Sequence, residues 1–292
     1  MRILLSGSSG LIGRSLAAFL KTQGHTVIPL VRRAQEGSVF WDPARPGGPT
    51  EDFEGFDAVI HLAGENIASR WSKAKKKRLV ESRCRDTAAL AQILLKLKQP
   101  PKIVITASAV GFYGDRGEEV LTEKSAKGRG FLADLCAEWE AAADVLKPRM
   151  RVAHTRFGPV LSPEGGALKK MLPAFRWGFG GKLGTGRQFF SWVALEDVVG
   201  AIAHILATPE LSGPVNVVAP HAVTQGGFAK ALAEQLHRPV FFSLPAPVLK
   251  FLLGEMGEEM LLAGAHVIPE RLLETGYRFR YPLLKNYLKE TF

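Results

Sequence analysis

The sequence has only two cysteines, Cys84 and Cys136, which lie far apart and in no Cys-x-x-Cys pair. A disulfide framework and a zinc site of paired cysteines are therefore not indicated. Long apolar runs are also missing. Too few apolar residues precede Ser6 for a signal peptide, and no run approaches the roughly 18 residues that span a bilayer. We expect a cytoplasmic protein that does not contact a membrane.

Acidic residues are in the minority, with 28 Asp and Glu against 38 Lys and Arg, so the formal net charge is +10. The densest basic run is KAKKKR at 73–78. It opens a predicted helix over 73–98, and we expect its charges to form a solvated face opposite an apolar stripe. A nucleic-acid interface on this helix is a minor alternative, because no aromatic platform or zinc-finger spacing accompanies it. We expect no nucleic-acid partner.

Signals for metal and hydrolase chemistry are missing as well. The seven histidines form no HExxH motif, and no GxSxG nucleophile elbow occurs. His61 and His154 belong to apolar runs, where a histidine that is hydrogen-bonded in the core is the expected role. The sequence therefore indicates neither a metal site nor a catalytic serine.

Strands and helices alternate through the first half of the chain. Apolar runs predict five strands, and helical spacing predicts the elements between them. Short links between such elements predict an α/β fold with a Rossmann-type, doubly wound parallel sheet. The predicted strands cover 2–6, 25–31, 57–63, 102–108 and 150–157, and the helices cover 11–23, 73–98 and a segment beginning near 131.

The pattern changes after Gly158, where glycine and proline interrupt the segments. Residues 165–188 predict a helix and then a loop, 214–220 predict one more strand of the sheet, and the tail from 244 is mostly helical. We predict a Rossmann domain over 1–157 that also recruits parts of 188–218. The other residues, 158–187 and 219–292, form a smaller, mainly helical lobe.

The segment SGSSGLIG carries three glycines between a predicted strand and a predicted helix. In this context the glycines allow a tight turn and bring backbone N–H groups to a pyrophosphate at the helix N-terminus. A glycine-rich turn without a ligand is the alternative. The expected cofactor contacts in this segment are Gly7, Ser9, Gly10, Leu11, Ile12 and Gly13.

Two arginines, Arg32 and Arg33, stand at the end of the second predicted strand. A site for NAD would place a carboxylate there for the ribose 2′-hydroxyl, and that carboxylate would repel a 2′-phosphate. Guanidinium groups instead bind a phosphate with charge-assisted hydrogen bonds. The pair therefore favours NADP(H) as the cofactor, although two surface charges at a strand end are the simpler alternative.

Further motifs follow in order: DAVIHLAG at 57–64, ITASAVGFYG at 105–114, RFGPVL at 156–161 and FFSWVALEDVVGAI at 189–202. With the glycine motif, the chain resembles the extended short-chain dehydrogenase/reductases. HLAGENI, GTGRQFFSW and IPERLLETGYRFRYP make it similar to an atypical branch called "epimerase family protein". That branch joins an NAD(P)-binding Rossmann domain to a small C-terminal domain of unknown function. The resemblance implies that Leu62, Ala63 and Gly64 pass beneath the cofactor and that Thr106 to Ser108 lie beside the nicotinamide.

The extended enzymes transfer a proton through a Tyr-xxx-Lys pair, in which the lysine lowers the pKa of the phenol. Here Leu132 holds the tyrosine position and Cys136 holds the lysine position, if Glu140 is the acidic residue that follows the motif. Ala109 stands at the usual serine position, and Ser108 is one residue away. The resemblance therefore predicts the fold and cofactor but not the usual proton donor.

A second Tyr-xxx-Lys, Tyr281 to Lys285, follows the whole sheet and contains Pro282. We interpret it as the start of a last surface helix rather than as a catalytic pair. Relatives that act on nucleotide sugars place an arginine on the diphosphate where this chain has Phe190. Arg187 could substitute as a substrate contact, but a nucleotide-sugar substrate is less favoured.

Other polar residues are candidates for the missing chemistry. Tyr113 and Ser108 could transfer a proton, although we favour packing against the cofactor for Tyr113. Glu65 could act as an acid or base if burial raised its pKa. Asn66 could contact the substrate, or Glu65 and Asn66 could form a helix-capping turn. Lys124 and Lys127 are expected on the surface, though either, folded inward, could replace the lysine.

We therefore favour an NADP(H)-dependent oxidoreductase or epimerase-like enzyme with a non-standard proton donor, acting on a small molecule in the cleft between the lobes. The alternative is a catalytically inactive NADP(H)-binding sensor or scaffold protein. The sequence leaves a homodimer open and does not identify the substrate.

Overall fold

The fold is built around one parallel β-sheet, and the computed structural model describes residues 1–45, 50–240 and 242–292. The strands are β1 (Arg2–Ser6), β2 (Thr26–Val31), β3 (Val39–Phe40), β4 (Ala58–His61), β5 (Ile103–Ala109), β6 (Val120–Leu121), β7 (Arg151–Phe157), β8 (Val160–Ser162), β9 (Gly181–Leu183), β10 (Phe189–Phe190), β11 (Val193–Ala194), β12 (Gly213–Val217), β13 (Val223–Thr224), β14 (Phe242–Leu244) and β15 (His266–Val267).

The helices lie between these strands and in the C-terminal part of the chain. They are α1 (Leu11–Thr22), α2 (Lys73–Val80), α3 (Asp86–Lys96), α4 (Phe131–Asp144), α5 (Gly166–Arg176), α6 (Leu195–Ala207), α7 (Gln225–Gln235), α8 (Ala246–Leu253), α9 (Glu255–Gly257), α10 (Glu270–Glu274) and α11 (Leu284–Thr291). No helix among the described residues is long and apolar enough to cross a bilayer.

Seven strands form the central sheet in the order β12-β7-β5-β4-β1-β2-β3, and every neighbouring pair is parallel. The chain runs outward from β1 to β2 and β3, and then returns to place β4 on the other side of β1. Such a reversal leaves a crevice at the carboxyl ends of β1 and β4, where α/β proteins bind ligands. The predicted doubly wound parallel sheet is confirmed, and β12 joins it as predicted. The edge strand β3 was not predicted.

Helices cover both faces of the sheet because successive strand residues point to opposite sides. On β1, Ile3 and Leu5 pack in one apolar cluster with α1 and α6, whereas Leu4 packs in a second cluster with α3 and the end of α4. All three side chains are fully buried, and each such burial stabilises the fold by about 1.5–3 kcal/mol. Packing on both faces fixes the sheet, so the carboxyl ends of its parallel strands lie along one edge.

The predicted helix over 73–98 is interrupted in the structure. α2 ends at Val80, a π-helical turn covers Glu81–Arg85, and α3 continues from Asp86. The basic run is also not wholly solvated, because Lys75 is only 8% exposed and its ammonium contacts Glu65 Oε1 at 2.6 Å. The expectation of a fully solvated basic face is therefore wrong at Lys75.

A third apolar cluster lies outside the sheet and joins residues around Trp192 to α5, α7 and α11. The carboxylate of Asp197 anchors the C-terminal segment by accepting from the backbone N–H groups of Arg280 at 2.7 Å and Tyr281 at 2.9 Å. Tyr281 is buried and donates to Glu290, so it has a structural role. The last helix is not simply a surface helix, because Tyr287 and its neighbours on α11 are buried. The division into two lobes at residue 157 stays a prediction.

Candidate functional site

The glycine turn between β1 and α1 packs closely against α1 and against the segment after β4. Gly7 has a φ of +70°, and a Cβ on it would lie 2.8 Å from the carbonyl carbon of Leu62. A Cβ on Gly13 would lie 2.1 Å from the Gly7 carbonyl oxygen. Any side chain at either position would therefore force the turn, α1 and the segment after β4 apart.

Gly10 differs because space lies beside it. A Cβ on Gly10 would meet only the Gly7 carbonyl oxygen, at 3.3 Å, and both Gly10 and Ser9 are exposed. Gly10 is the N-cap of α1, and no side chain caps this end of the helix. The first N–H groups of the helix, at Leu11 and Ile12, have no acceptor one turn earlier in the helix. This uncapped terminus in an open crevice fits a pyrophosphate, so the residues present suit a dinucleotide.

The two predicted phosphate-binding arginines differ in their surroundings. Arg32 is exposed but pairs with Asp86 at the start of α3, at 2.6 Å between Nη2 and Oδ2. Burial is the main cause of the raised pKa of Asp86, while Arg32 lowers it. Arg33 is exposed and has no ion-pair partner within the described residues. Arg33 therefore offers a free guanidinium, whereas Arg32 would share its charge between Asp86 and a ligand.

The segment after β4 forms the other side of the crevice. Gly64 is exposed, and Leu62 and Ala63 are partly buried. Ser6 holds the base of this segment, since its hydroxyl contacts His61 Nδ1 at 2.7 Å and accepts from the Ala63 backbone N–H at 3.2 Å. Leu62 and Ala63 therefore lie against the glycine turn at Gly7, and the cofactor contacts of Leu62 to Gly64 stay a prediction.

Thr106 and Ser108, predicted beside the nicotinamide, point inward from β5. Thr106 is 1% exposed, and its hydroxyl contacts His154 Nδ1 at 2.8 Å. Ser108 is 2% exposed and donates to Glu140 Oε1 at 2.6 Å. Their side chains are therefore bonded within the core, and neither hydroxyl is free toward the crevice.

Ser108 is the first member of a buried polar network that links three strands to α4. Glu140 binds Arg156, whose Nη1 donates to the Tyr113 hydroxyl oxygen at 2.9 Å. Tyr113 in turn donates to Asn216 Oδ1 at 2.7 Å. The network satisfies polar groups that would be costly to bury unpaired.

The predicted proton donor Tyr113 is completely buried. Burial is the largest cause of its raised pKa, and Arg156 opposes that rise. Its ring stacks edge-on against Phe112, with 5.4 Å between ring centroids. A phenol that is already engaged as donor and acceptor is poorly placed to transfer a proton to a ligand in the crevice.

Glu65 and Asn66 lie just after the crevice segment. Hydrogen bonding to Lys75 is the largest cause of the lowered pKa of Glu65. A pKa raised by burial, the condition on which Glu65 was a candidate acid or base, is therefore not met. Asn66 is exposed, and its Oδ1 accepts from the Ala68 backbone N–H at 2.9 Å. Asn66 therefore stabilises a turn, and Glu65 is held in the ionised form.

The two lysines that could have folded inward do not do so. Lys124 pairs with Glu270 at 3.0 Å, and Lys127 pairs with Asp134. Both lysine side chains are exposed, at 76% and 41%. Neither supplies a cation to the crevice. Within the described residues, no cluster of three or more His, Cys, Asp or Glu could hold a metal ion.

Comparison with known sequences identifies the family. The model of the NAD dependent epimerase/dehydratase family matches residues 3–219, which is well over half of the chain. The chain belongs to this family. A second model, described as a domain of unknown function (DUF1731), matches residues 244–291.

Relatives with the same "epimerase family protein" name cover nearly the whole chain. Epimerase family protein Mb2239 of Mycobacterium bovis is 40% identical over 283 residues, which cover 96% of this chain and 93% of the relative. The crystal structure of human epimerase family protein SDR39U1 (isoform 2) with NADPH has a TM-score of 0.91 and 36% identity, and covers 100% of this chain and 99% of its own. A nucleoside-diphosphate sugar epimerase structure from Corynebacterium glutamicum has a TM-score of 0.82 and 34% identity, with 100% of this chain and 58% of that chain covered.

The residues that we predict at the family's Tyr-xxx-Lys positions are packing residues of α4. Leu132 lies 3.2 Å from the point where a Cβ on Gly111 would be. Cys136 is 3% exposed, and burial raises the pKa of its thiol to about 12. The N-terminus of α4 is capped by Glu259, whose two oxygens accept from the Phe131 and Leu132 N–H groups at 2.8 Å. The missing pair is thus replaced by a packed and capped helix.

At the family's substrate-arginine position, Phe190 packs on Phe228, with 4.7 Å between ring centroids. Arg187 is exposed nearby in sequence, and its role as a substrate contact stays a prediction. The network residues Asn216 and Arg156 were missed as partners of Tyr113. The signal for Asn216 was a polar residue inside an otherwise apolar strand, whereas Arg156 lies in a strand with several polar residues and gave no such signal.

Proposed function

We propose that this protein binds NADP(H) at the carboxyl ends of β1 and β4 and acts as an oxidoreductase on a small carbonyl compound. The uncapped N-terminus of α1, open beside Gly10, is the observation that carries the proposal. The presence of NADPH in the crystal structure of human SDR39U1 supports it.

Each part of the cofactor has a counterpart among the described residues. The N–H groups of the turn from Ser9 to Gly13 bind the pyrophosphate, and the dipole of α1 favours its negative charge. Arg33 and Arg32 bind the 2′-phosphate. The segment from Leu62 to Gly64 supports the nicotinamide half. NADPH is preferred to NADH because only NADPH gives the two guanidinium groups an anion to bind.

When bound, NADPH supplies a hydride at the nicotinamide C4. None of the three candidate acids is free for the second step, because Ser108 and Tyr113 donate to Glu140 and Asn216, and Glu65 is ionised. Reduction of an isolated ketone gives a strongly basic alkoxide and needs such an acid. Hydride transfer to the β-carbon of a conjugated carbonyl moves the electron pair of the C=C bond onto the carbonyl oxygen. The product is a delocalised enolate that water can protonate. We therefore place conjugated carbonyl compounds first among substrates, with Asn66 and Arg187 as proposed substrate contacts.

A second function is favoured by one specific observation. Leu132 and Cys136 fill the positions of the family's proton donor and its lysine. A protein with this arrangement could bind NADP(H) without turnover and use it to stabilise a conformation or partner surface. A change from monomer to homodimer on NADPH binding, measured by light scattering, would support this function. Homodimerisation and a cytoplasmic location stay predictions.

Calorimetric titration tests the cofactor proposal. The wild-type protein should bind NADPH with micromolar affinity and NADH much more weakly. Arg32→Ala/Arg33→Ala should lose that preference, whereas Lys230→Ala, which removes an exposed cation from α7, should keep it. Absence of NADPH binding to cofactor-free wild-type protein would reject the proposal.

Single-turnover kinetics separates the two functions. Oxidation of bound NADPH, followed by its absorbance, should accelerate with at least one conjugated carbonyl and little with its saturated counterpart. No hydride transfer across a broad panel, together with tight NADPH binding, would favour the sensor.

A further inference from the structure

One arginine lies at the crevice with no assigned role. Arg83 belongs to the π-helical turn Glu81–Arg85, and its guanidinium lies flat against Gly64. Its Cζ is 3.5 Å from the point where a Cβ on Gly64 would be, and its two terminal nitrogens are 3.6 and 3.7 Å from that point. Its Cζ also lies 5.0 Å from the centroid of the Trp139 ring. The guanidinium is thus held between Trp139 and the exposed crevice segment.

This guanidinium is incompletely paired. Its Nη1 is fully buried, and no acceptor within the described residues lies at hydrogen-bond distance. Arg83 also forms no ion pair there, since the nearby Glu65 is bound by Lys75 instead. Burial lowers the pKa of Arg83, yet an arginine keeps its proton in proteins. An unpaired buried donor on a charged group is destabilising, and stacking on Trp139 offsets only part of that cost.

The position of Arg83 relates it to the missing lysine. Cys136 and Trp139 lie three residues apart on α4 and therefore share one face of the helix. The thiol of Cys136 is neutral, because burial raises its pKa to about 12. Arg83 comes from the neighbouring π-helical turn and places its guanidinium beside Trp139, one helical turn after Cys136. Such turns occur frequently at functional sites because they displace a side chain from the regular helical spacing.

We propose that Arg83 is the cation beside the cofactor on this side of the crevice and donates hydrogen bonds to the hydroxyls of the nicotinamide-side ribose of bound NADP(H). The inference rests on the proposed function, since it needs the cofactor to cross Leu62 to Gly64. A planar guanidinium can donate to two adjacent hydroxyls at once. Arg83 is only partly buried, and the ribose would supply acceptors that this guanidinium lacks among the described residues. Arg83 acts here as a cofactor-binding residue and transfers no proton.

The test compares two ligands and three variants by calorimetry. NADPH carries the nicotinamide ribose, whereas adenosine 2′,5′-bisphosphate carries only the adenosine half with its 2′-phosphate. Arg83→Met should weaken NADPH binding about 10- to 100-fold and leave the bisphosphate within about twofold. Arg83→Lys should recover part of the loss. Arg85→Met, which removes an exposed arginine two residues away, should change neither affinity.

Thermal unfolding without ligand gives a second readout. Met approximates the shape of the arginine stem and removes the unpaired charge, so Arg83→Met should unfold at the same temperature as wild type or higher. A merely structural arginine would instead show a lower unfolding temperature in this variant.

Several results would overturn the inference. Equal NADPH affinity of Arg83→Met and wild type would exclude the ribose contact, and equal loss of both ligands would show a general disturbance of the fold. If wild-type protein binds neither ligand, the proposed function itself fails. If it binds both and only the Arg83 prediction fails, the cofactor site stands without this contact.

Discussion

Arg156 and Glu140 form a two-fold hydrogen-bonded ion pair in the interior. Arg156 Nε lies 2.8 Å from Oε1 of Glu140, and Nη2 lies 2.7 Å from Oε2. The guanidinium also stacks on Phe112, with Cζ 3.5 Å from the ring centroid. The pair joins β7 to α4 and leaves one donor for Tyr113. The pair therefore accounts for the inward orientation of the Ser108 and Tyr113 hydroxyls, which the sequence placed among the catalytic candidates.

Glu140→Gln should therefore be strongly destabilising. The amide cannot accept at both positions, so Arg156 would keep its charge without a counter-ion. Breaking a buried pair from one side costs about 3–5 kcal/mol. Urea unfolding should show this loss relative to wild type, with Glu138→Gln on the exposed side of α4 as the control. A loss below about 1 kcal/mol for Glu140→Gln would contradict the role of the pair.

Substitutions at two glycines of the turn should distinguish an effect on folding from an effect on cofactor binding. Gly13→Ala places a methyl group 2.1 Å from the Gly7 carbonyl oxygen, so we expect poor folding or severe destabilisation. Gly10→Ala meets one atom at 3.3 Å and has an ordinary φ of −74°, so it should fold. Its methyl group would occupy the space that the pyrophosphate needs.

We expect Gly10→Ala to keep the unfolding temperature within a few degrees and to weaken NADPH binding at least about tenfold. Calorimetry and thermal unfolding on the same preparation check both parts. Unchanged NADPH affinity would mean that the cofactor does not approach the backbone at Gly10.

How much the sequence could predict depends on how local each signal is. Most strands of the sheet were predicted because each contains a run of apolar residues, whereas β3 has two residues and no such run. The glycine turn and Arg33 could be singled out because each is recognised from its place just after one predicted strand. The prediction of helix 73–98 missed the π-helical turn, because apolar spacing does not record one extra residue in a turn.

The buried network lay beyond sequence reasoning for a different reason. Ser108, Arg156 and Asn216 come from three strands that are distant in sequence and adjacent or nearby in the sheet. No spacing rule joins such residues. Arg83 was missed because it looked like one more charge in a basic helix, and only its contact with Gly64 and its unpaired Nη1 set it apart.

His61 should make the stability of the protein depend on pH. Burial is the main cause, with Arg32 second, of a pKa lowered from 6.5 to about 4. The folded state therefore keeps His61 neutral, while the unfolded chain binds a proton as the pH falls below about 6.5. Stability is present above that pH and is lost as the pH falls toward about 4.

The loss from His61 between pH 7 and pH 5 should be about 2 kcal/mol, since one pKa unit corresponds to about 1.4 kcal/mol. Urea unfolding at the two pH values should show this loss in wild type and in His221→Gln, which removes an exposed imidazole. His61→Gln should be less stable at pH 7, but its free energy of unfolding should fall by about 2 kcal/mol less than that of wild type between pH 7 and pH 5. An equal pH dependence in all three proteins would show that His61 titrates normally.

The two cysteines should be unreactive in the folded protein. Burial, assisted by Glu138, raises the pKa of Cys84 to about 11, and burial raises that of Cys136 to about 12. The thiolate is the reactive form, and at pH 8 a pKa of about 11 leaves only about one thiol in a thousand ionised. A disulfide reagent at pH 8 should therefore label neither cysteine quickly, and should label both at once in concentrated urea.

Cys84→Ala and Cys136→Ala assign any slow labelling to one site. Labelling of Cys84 should precede that of Cys136, because Cys84 is only partly buried and Cys136 is fully buried. Fast native labelling of Cys136 would mean that α4 opens readily at the family's lysine position. A thiol could then reach the crevice, and the packing that leaves Arg83 as the cation of this face would be wrong.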